Sequence, residues 1–198
     1  MQSKRKNEGE NKTREAILDA AEAIMRKEGY AAVTSRRVGE AAGLKSKLVH
    51  YYFGTMDELF VALYERSEKG VLQQHLKSLM APNPLRSLWE ATLERSQTSL
   101  GHEFIALSSH RKSIRKLIVR TAEQMNTLNI ACISRYIKDR GLDPEEFPPT
   151  IIAYLLSALS QSLVREEMLG VSGPHEEVMA FAYQWFDRLE TMAPRRES

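Results

Sequence analysis

The chain has 198 residues, 42% hydrophobic and 27% charged, which suits one large helical domain or a small domain joined to a larger one. Its one cysteine, Cys132, excludes an intrachain disulfide and a cysteine-based zinc site within one chain. The net charge of +2 does not indicate wholesale polyanion binding, yet residues 1–53 hold 11 lysines and arginines against seven acidic residues, so one end is basic.

Residues 1–12 read as a flexible basic arm, in which Lys4, Arg5 and Lys6 either assist nucleic-acid binding or are simply solvated. The opening MQSKRKNEGENK lacks the apolar stretch of a signal peptide. Helical spacing of Ile17, Ala20, Ala21, Ile24 and Met25 predicts a first helix from about Thr13 to Glu28, stopped by Gly29. Thr34 is a suitable cap for a second helix with Val38, Ala41 and Ala42 inward and Ser35, Arg36 and Arg37 outward. Gly43 ends it, and a third helix runs from near Ser46 to Gly54. Thr55-x-x-Glu58 matches a capping box and starts a fourth, which Gly70 is expected to weaken.

Pro82 and Pro84 then interrupt the chain, and helical segments are predicted near 84–98, 102–111, 113–140, 148–169 and 174–190. Strand-like alternation is absent, so the fold class is all-α. No apolar run reaches the ~18 residues of a membrane span. The longest, IIAYLLSALSQSLV, is broken by serines and a glutamine. A cytoplasmic protein without a membrane partner is expected.

Three short helices, the second and third joined by a glycine-containing turn, form the plan of a helix-turn-helix. On a helical wheel of residues 45–53, Val49 and Phe53 share one face and join Leu44 as core. Ser46, Lys47, His50 and Tyr51 lie opposite, with Leu48 and Tyr52 at the edges. Lys45 and Lys47 stand where the helix dipole already carries roughly +0.5 of an elementary charge, a conflict that an anion removes. A B-DNA major groove admits one helix between walls of phosphate, and Arg36 or Arg37 beside it could reach a guanine edge.

The segment TREAILDAAEAIMRKEGYAAVTSRRVGEAAGLKSKLVHYYFGTMDEL, Thr13 to Leu59, resembles the DNA-binding domain of the TetR family of bacterial repressors. The likeness rests on the helix-one alanines, EGY before a threonine-led second helix, AAGL, and an aromatic-rich third helix ending in Phe-Gly-Thr. It implies DNA contacts at Thr34, Ser35, Arg36, Lys45, Ser46, Lys47, Leu48, His50, Tyr51 and Tyr52, to which the expected place of helix two beside the groove adds Arg37. Three positions depart from the family pattern. Lys45 replaces a frequent small hydroxyl cap, His50 a frequent tyrosine, and Met56 a frequent phosphate-binding lysine. The operator therefore does not transfer.

The resemblance also implies residues 13–54 as the DNA-binding domain and 55–198 as a larger helical domain for dimerisation and a small-molecule inducer, which the composition of the candidate walls suggests is apolar or aromatic. Pocket walls are expected at Trp89, Phe104, Leu107, Met125, Leu128, Asn129, Cys132, Tyr136, Tyr154, Ser157 and Gln161. The last two long helices are apolar on more than one side, which asks for burial on more than one side. The expected dimer contacts are Ala153, Ser160, Leu163, Val164, Met179, Ala182, Tyr183 and Phe186. The implied protein is a homodimeric repressor on a palindromic operator, released by inducer. An activator, or a ligand- or lipid-binding protein that kept the fold without DNA, is the alternative. No nucleophile–base pair, phosphate loop or ligand spacing points to an enzyme, a metal or a cofactor. Glu166-Glu167 with His175 comes nearest and reads as a helix-end cluster. His75, His102 and His110 read as surface or cap residues, and Cys132 as a small buried residue. Arg111-Lys112 and Arg115-Lys116 read as a solvated face.

Overall fold

A computed structural model describes residues 2–98, 100–171 and 173–192, with the side chains of 2–7, 75, 79 and 95–98 left aside. The described residues are helical, without strands: α1 Gln2–Glu28, a 3-10 turn Tyr30–Ala32, α2 Ser35–Ala41, α3 Ser46–Phe53, α4 Met56–Leu79, α5 Pro84–Thr98, α6 Gly101–Ser108, α7 Lys112–Asp139, α8 Pro149–Met168 and α9 His175–Thr191. None of these helices is long and apolar enough to cross a membrane.

The chain divides into two compact units, and not where the sequence suggested. The first comprises residues 1–70 and 100–120, the second 71–99 and 121–198. The reason lies in the core. Ile17, Ala21 and Met25 of α1, Val38 of α2, Val49 and Phe53 of α3, and Leu59 and Leu63 of α4 pack with Leu100, Phe104, Leu107 and Ile114. The boundary at residue 54 thus cuts through one continuous apolar cluster. The second core gathers Leu85, Leu88 and Trp89 of α5, Ile133, Tyr136 and Ile137 of α7, Ile152, Ala153 and Leu163 of α8, and Ala182, Phe186 and Leu189 of α9.

A further difference concerns the N-terminus. Helix α1 begins at Gln2, so the stretch read as an arm belongs to a helix. Residues 2–12 contain no proline, and lysine, arginine and glutamate are good helix formers, so the run holds despite Gly9, its weakest position. The Thr13 hydroxyl donates to the Gly9 carbonyl at 3.0 Å, one turn back. The side chains of Lys4, Arg5, Lys6 and His75 lie outside the described residues.

Polar ties knit the first unit. Arg66 of α4 reaches three carboxylates of α1: Glu15 at 3.3 Å, Asp19 at 2.7 Å and Glu22 at 2.6 Å. Glu103 of α6 accepts the Tyr30 backbone N–H at 2.7 Å, beside Gly29, whose positive φ only glycine adopts without strain. Arg111 and Ser113 both bind the carboxylate of Asp57, at the first turn of α4. Ser113 first, and Arg111 with it, hold that carboxyl below its ordinary value against the opposing effect of burial. Arg111 also lies over the Phe60 ring, 5.4 Å from its centroid. The solvated basic face expected at residue 111 is therefore an internal brace: the sequence does not show that Asp57, 54 positions earlier, is its partner.

Candidate nucleic-acid interface

The α2–turn–α3 geometry follows from local chemistry. Thr34 caps α2, its hydroxyl accepting the Arg37 N–H at 3.3 Å. Gly43 turns the chain at φ +69°, and the Leu44 N–H closes the turn on the Gly39 carbonyl at 2.8 Å. A Cβ at Gly39 would stand 3.0 Å from the Leu44 carbonyl oxygen and 3.1 Å from the Ser46 nitrogen, so only glycine lets α3 approach this closely. Helix α3 then seats Val49 and Phe53 in the core. The Arg14 guanidinium covers the Phe53 ring at 4.9 Å.

The opposite face is open. Lys45, Ser46, Lys47, Leu48, His50 and Tyr51 are exposed, Tyr51 at 71%, as are Thr34 and Arg36 of the neighbouring helix. Ser35, Arg37 and Tyr52 are half-buried. All eleven positions named from the sequence thus lie on α2, α3 or their caps, with side chains at least partly accessible. Lys45 is the N-cap of α3 and makes no side-chain cap bond, which leaves first-turn N–H groups to an outside acceptor. Among the described residues neither Lys45 nor Lys47 has a carboxylate in salt-bridge range. The Tyr51 and Tyr52 rings meet edge to face at 5.2 Å, so each steadies the other.

Three side chains behave differently from the open set. Arg37 is held by both oxygens of Glu28, at 2.6 and 2.7 Å, and ties α2 to the end of α1. That hydrogen-bonded guanidinium keeps the Glu28 carboxyl below its ordinary range. Arg36 pairs with Glu40 at 2.9 Å, but both side chains are mostly in solvent, where such pairs contribute little. Arg36 can therefore exchange its partner at small cost, whereas Arg37 must give up a two-pronged one. His50 places Nδ1 3.1 Å from the Gly54 carbonyl. A carbonyl only accepts, so Nδ1 carries the hydrogen and Nε2 of the neutral ring is an acceptor. As an acceptor, Nε2 of the neutral ring has the hydrogen-bonding character that would complement N6–H₂ of adenine or N4–H₂ of cytosine.

Residues 17–63 match the family model for bacterial regulatory proteins of the tetR family, and the matched stretch contains every residue of this face. This N-terminal stretch is similar to the DNA-binding domain of the TetR family. The likeness extends along the TetR-like chain as a fold. A TetR transcription regulator from Haloarcula marismortui superposes with a TM-score of 0.67 at 15% identity, covering 90% of this chain and 96% of that one. The flavonoid-responsive regulator FrrA gives 0.62 at 18% identity over 94% and 100% of the two chains. NalD, the secondary repressor of the MexAB-OprM multidrug efflux pump in Pseudomonas aeruginosa, gives 0.52 at 18% over 88% and 95%. No curated protein sequence matches the chain significantly.

The expected pocket set of this TetR-like chain does not stay together. Phe104 and Leu107 are buried in the core of the first unit, packed with Leu63 and Ile114. Trp89, Tyr136 and, half-buried, Cys132 belong to the second core. Met125 is buried, and Leu128 and Asn129 are half-buried along α7. Tyr154 and Gln161 face outward, and Gln161 donates to the half-buried Ser157 hydroxyl at 2.8 Å. Burial raises the Cys132 thiol above its ordinary range, which fits a packed thiol better than a reactive one.

The expected dimer contacts lie mostly inside the single chain. Ala153, Ser160, Leu163, Val164, Ala182 and Phe186 are buried within the single chain, and Met179 and Tyr183 are partly covered by the same core. They form the inner faces of α8 and α9. The large apolar side chains left in solvent are Ile151, Tyr154, Leu155, Leu159 and Met168 on α8 and Phe181 on α9. Periodicity revealed that these helices have two apolar sides but not which one turns inward. His175 pairs with Glu166 at 3.0 Å across the α8–α9 junction and lowers that carboxyl, as a helix-end cluster does.

Proposed function

We propose that this TetR-like protein is a sequence-specific DNA-binding transcriptional regulator, a homodimeric repressor that a small molecule releases from its operator. The observation that carries the reading is the outer face of α3. A helix of eight residues keeps two apolar anchors inward and presents Lys45, Ser46, Lys47, Leu48, His50 and Tyr51 to solvent. Lys45, Lys47 and the free first-turn N–H groups suit phosphates. Leu48 suits a thymine methyl group, and Ser46, His50 and Tyr51 suit base edges or backbone oxygens. The description of NalD as a repressor and of FrrA as flavonoid-responsive supports the repressor and ligand parts by analogy of fold.

The homodimer reading rests on the apolar stripe of α8. Ile151, Tyr154, Leu155 and Leu159 recur at i, i+3, i+4 and i+8, the spacing of a helix–helix seam, and Leu155 is 63% exposed. A second copy of the same stripe is a self-complementary partner. Two α3 helices on a two-fold axis then read half-sites of a palindrome.

Anisotropy titration of the purified chain on labelled DNA from upstream of its own coding region tests the reading. Lys47→Ala and Tyr51→Ala are expected to weaken binding by one or more orders of magnitude while light scattering still shows a dimer. The affinity is expected to fall steeply with salt. Full binding by both variants would refute the assignment of α3 to the groove.

A further inference from the structure

Every polar atom buried in a protein interior normally finds a partner, because leaving one unpaired costs about 1–3 kcal/mol. Three buried side-chain atoms here have none among the described residues: Trp89 Nε1, Asn129 Oδ1 and Tyr136 OH. All three lie in the second unit, Trp89 on α5 and the other two on α7. Trp89 is 1% exposed and Tyr136 6%. Asn129 and Tyr136 are seven residues apart, two turns of one helix, so they share a face and stand about 10 Å apart along its axis. Trp89 and Tyr136 share one core cluster.

The surroundings narrow the chemistry. Trp89 stands 6.1 Å from the Phe186 ring, which Tyr183 and Trp185 also flank at 6.4 and 5.6 Å. The arginines at this core are occupied. Arg140 lies over the Tyr136 ring and donates to the Glu190 carbonyl, and Arg86 lies over the Tyr183 ring and pairs with Glu90. Burial also raises the Tyr136 phenol above its ordinary value, so its hydroxyl stays neutral. The core thus offers aromatic faces, neutral hydrogen-bonding atoms and no uncommitted arginine.

We infer that the second unit takes a neutral, planar aromatic molecule of two or three rings, with polar groups at both ends, through Trp89 Nε1, Asn129 Oδ1 and Tyr136 OH. The indole N–H donates to a ligand oxygen. The amide oxygen accepts from a ligand hydroxyl or N–H. The phenol, free to rotate, does either. This rests on the ligand-released reading given above and specifies its ligand: an organic anion finds no uncommitted arginine here to neutralise it, and a purely aliphatic molecule leaves the three atoms unpaired.

The test uses the full-length protein and three probes of one shape: 4,4′-dihydroxybiphenyl, biphenyl and biphenyl-4,4′-dicarboxylate. Calorimetry and thermal melting are expected to show the dihydroxy compound binding at least tenfold more tightly than biphenyl, and the dicarboxylate not binding. Tyr136→Phe gives a readout that a structural role would not: removal of an unpaired buried hydroxyl leaves the unliganded melting point unchanged or higher, while dihydroxybiphenyl binding falls tenfold or more. Asn129→Leu is expected to weaken the same compound similarly. A lower unliganded melting point for Tyr136→Phe would mean that the hydroxyl already has a partner, and would overturn the inference. So would preference for the dicarboxylate, or no binding by any probe. Operator binding, measured alongside, separates the two readings: probe binding in the expected order without release of DNA removes the inducer role and leaves the site.

Discussion

The two units handle polar and apolar atoms in opposite ways. In the first, each of the long-range ties is an ion pair or a charge-assisted bond: Arg66 with three carboxylates, Glu103 with the Tyr30 N–H, Arg111 and Ser113 with Asp57. In the second, three polar atoms are buried without partners, and 12 of the 16 exposed large apolar side chains of the described residues are found there. A unit proposed to hold one rigid face toward a polyanion is braced internally by polar groups. A unit proposed to receive a ligand and a second subunit keeps unsatisfied groups inside and apolar groups outside. The difference teaches that incompleteness is local and has a chemical sign, which indicates what would complete it.

Four experiments break or sharpen this contrast. Phe53→Ala removes the anchor of α3 under Arg14, and should cost about 3–5 kcal/mol in denaturant unfolding, since a large buried ring leaves a cavity. A loss below 1 kcal/mol would show that the first unit does not depend on its core in this way. Arg66→Ala leaves Glu15, Asp19 and Glu22 clustered without their cation. Partial exposure and solvent screening limit the expected loss to about 1 kcal/mol, and high salt should shrink it.

Asp57 supplies a smaller, pH-dependent effect. Its carboxyl is held below the ordinary value of 3.8, so the Ser113 and Arg111 bonds stabilise the first unit fully above that pH. Their contribution disappears as pH falls below 3.8 through the folded-state value. Asp57→Asn should therefore flatten the acid limb of stability between pH 5 and 2, read by circular dichroism; an unchanged limb would assign acid sensitivity elsewhere. Leu155→Glu, on the outer side of α8, should change the stability of the folded chain least, by within about 0.5 kcal/mol, while shifting the mass in solution toward a monomer. If unfolding becomes markedly easier and the mass does not change, the stripe packs on its own chain.

Much of this was legible in the residues. The helix-turn-helix was readable because short helices with glycine stops, a threonine cap and Val49–Phe53 spacing leave few alternatives. Its open face was readable because lysines at a helix start have a chemical reason to be there. Less visible was which apolar side of α8 faces home: Ala153 and Leu163 alternate with Tyr154 and Leu155 along the same wheel, and only packing against Trp89 and Phe186 selects between them. Phe104 and Trp89 look alike in sequence, yet they serve different cores. Arg111 looked solvated because its acidic partner is remote in the chain. The orphaned atoms had no sequence signature beyond their residue types, although Trp89, Asn129 and Tyr136 were all among the expected pocket walls.

The placement of Leu100, Phe104, Leu107 and Ile114 in the first core carries a practical corollary for hybrid regulators. A recognition module excised as the first 70 residues would leave behind four of its own apolar plugs and both hydrogen-bond donors to Asp57. Grafting this module onto another sensor therefore requires three joints, one within α4, one between α5 and α6 and one within α7, so that α6 travels with the module as its missing wall.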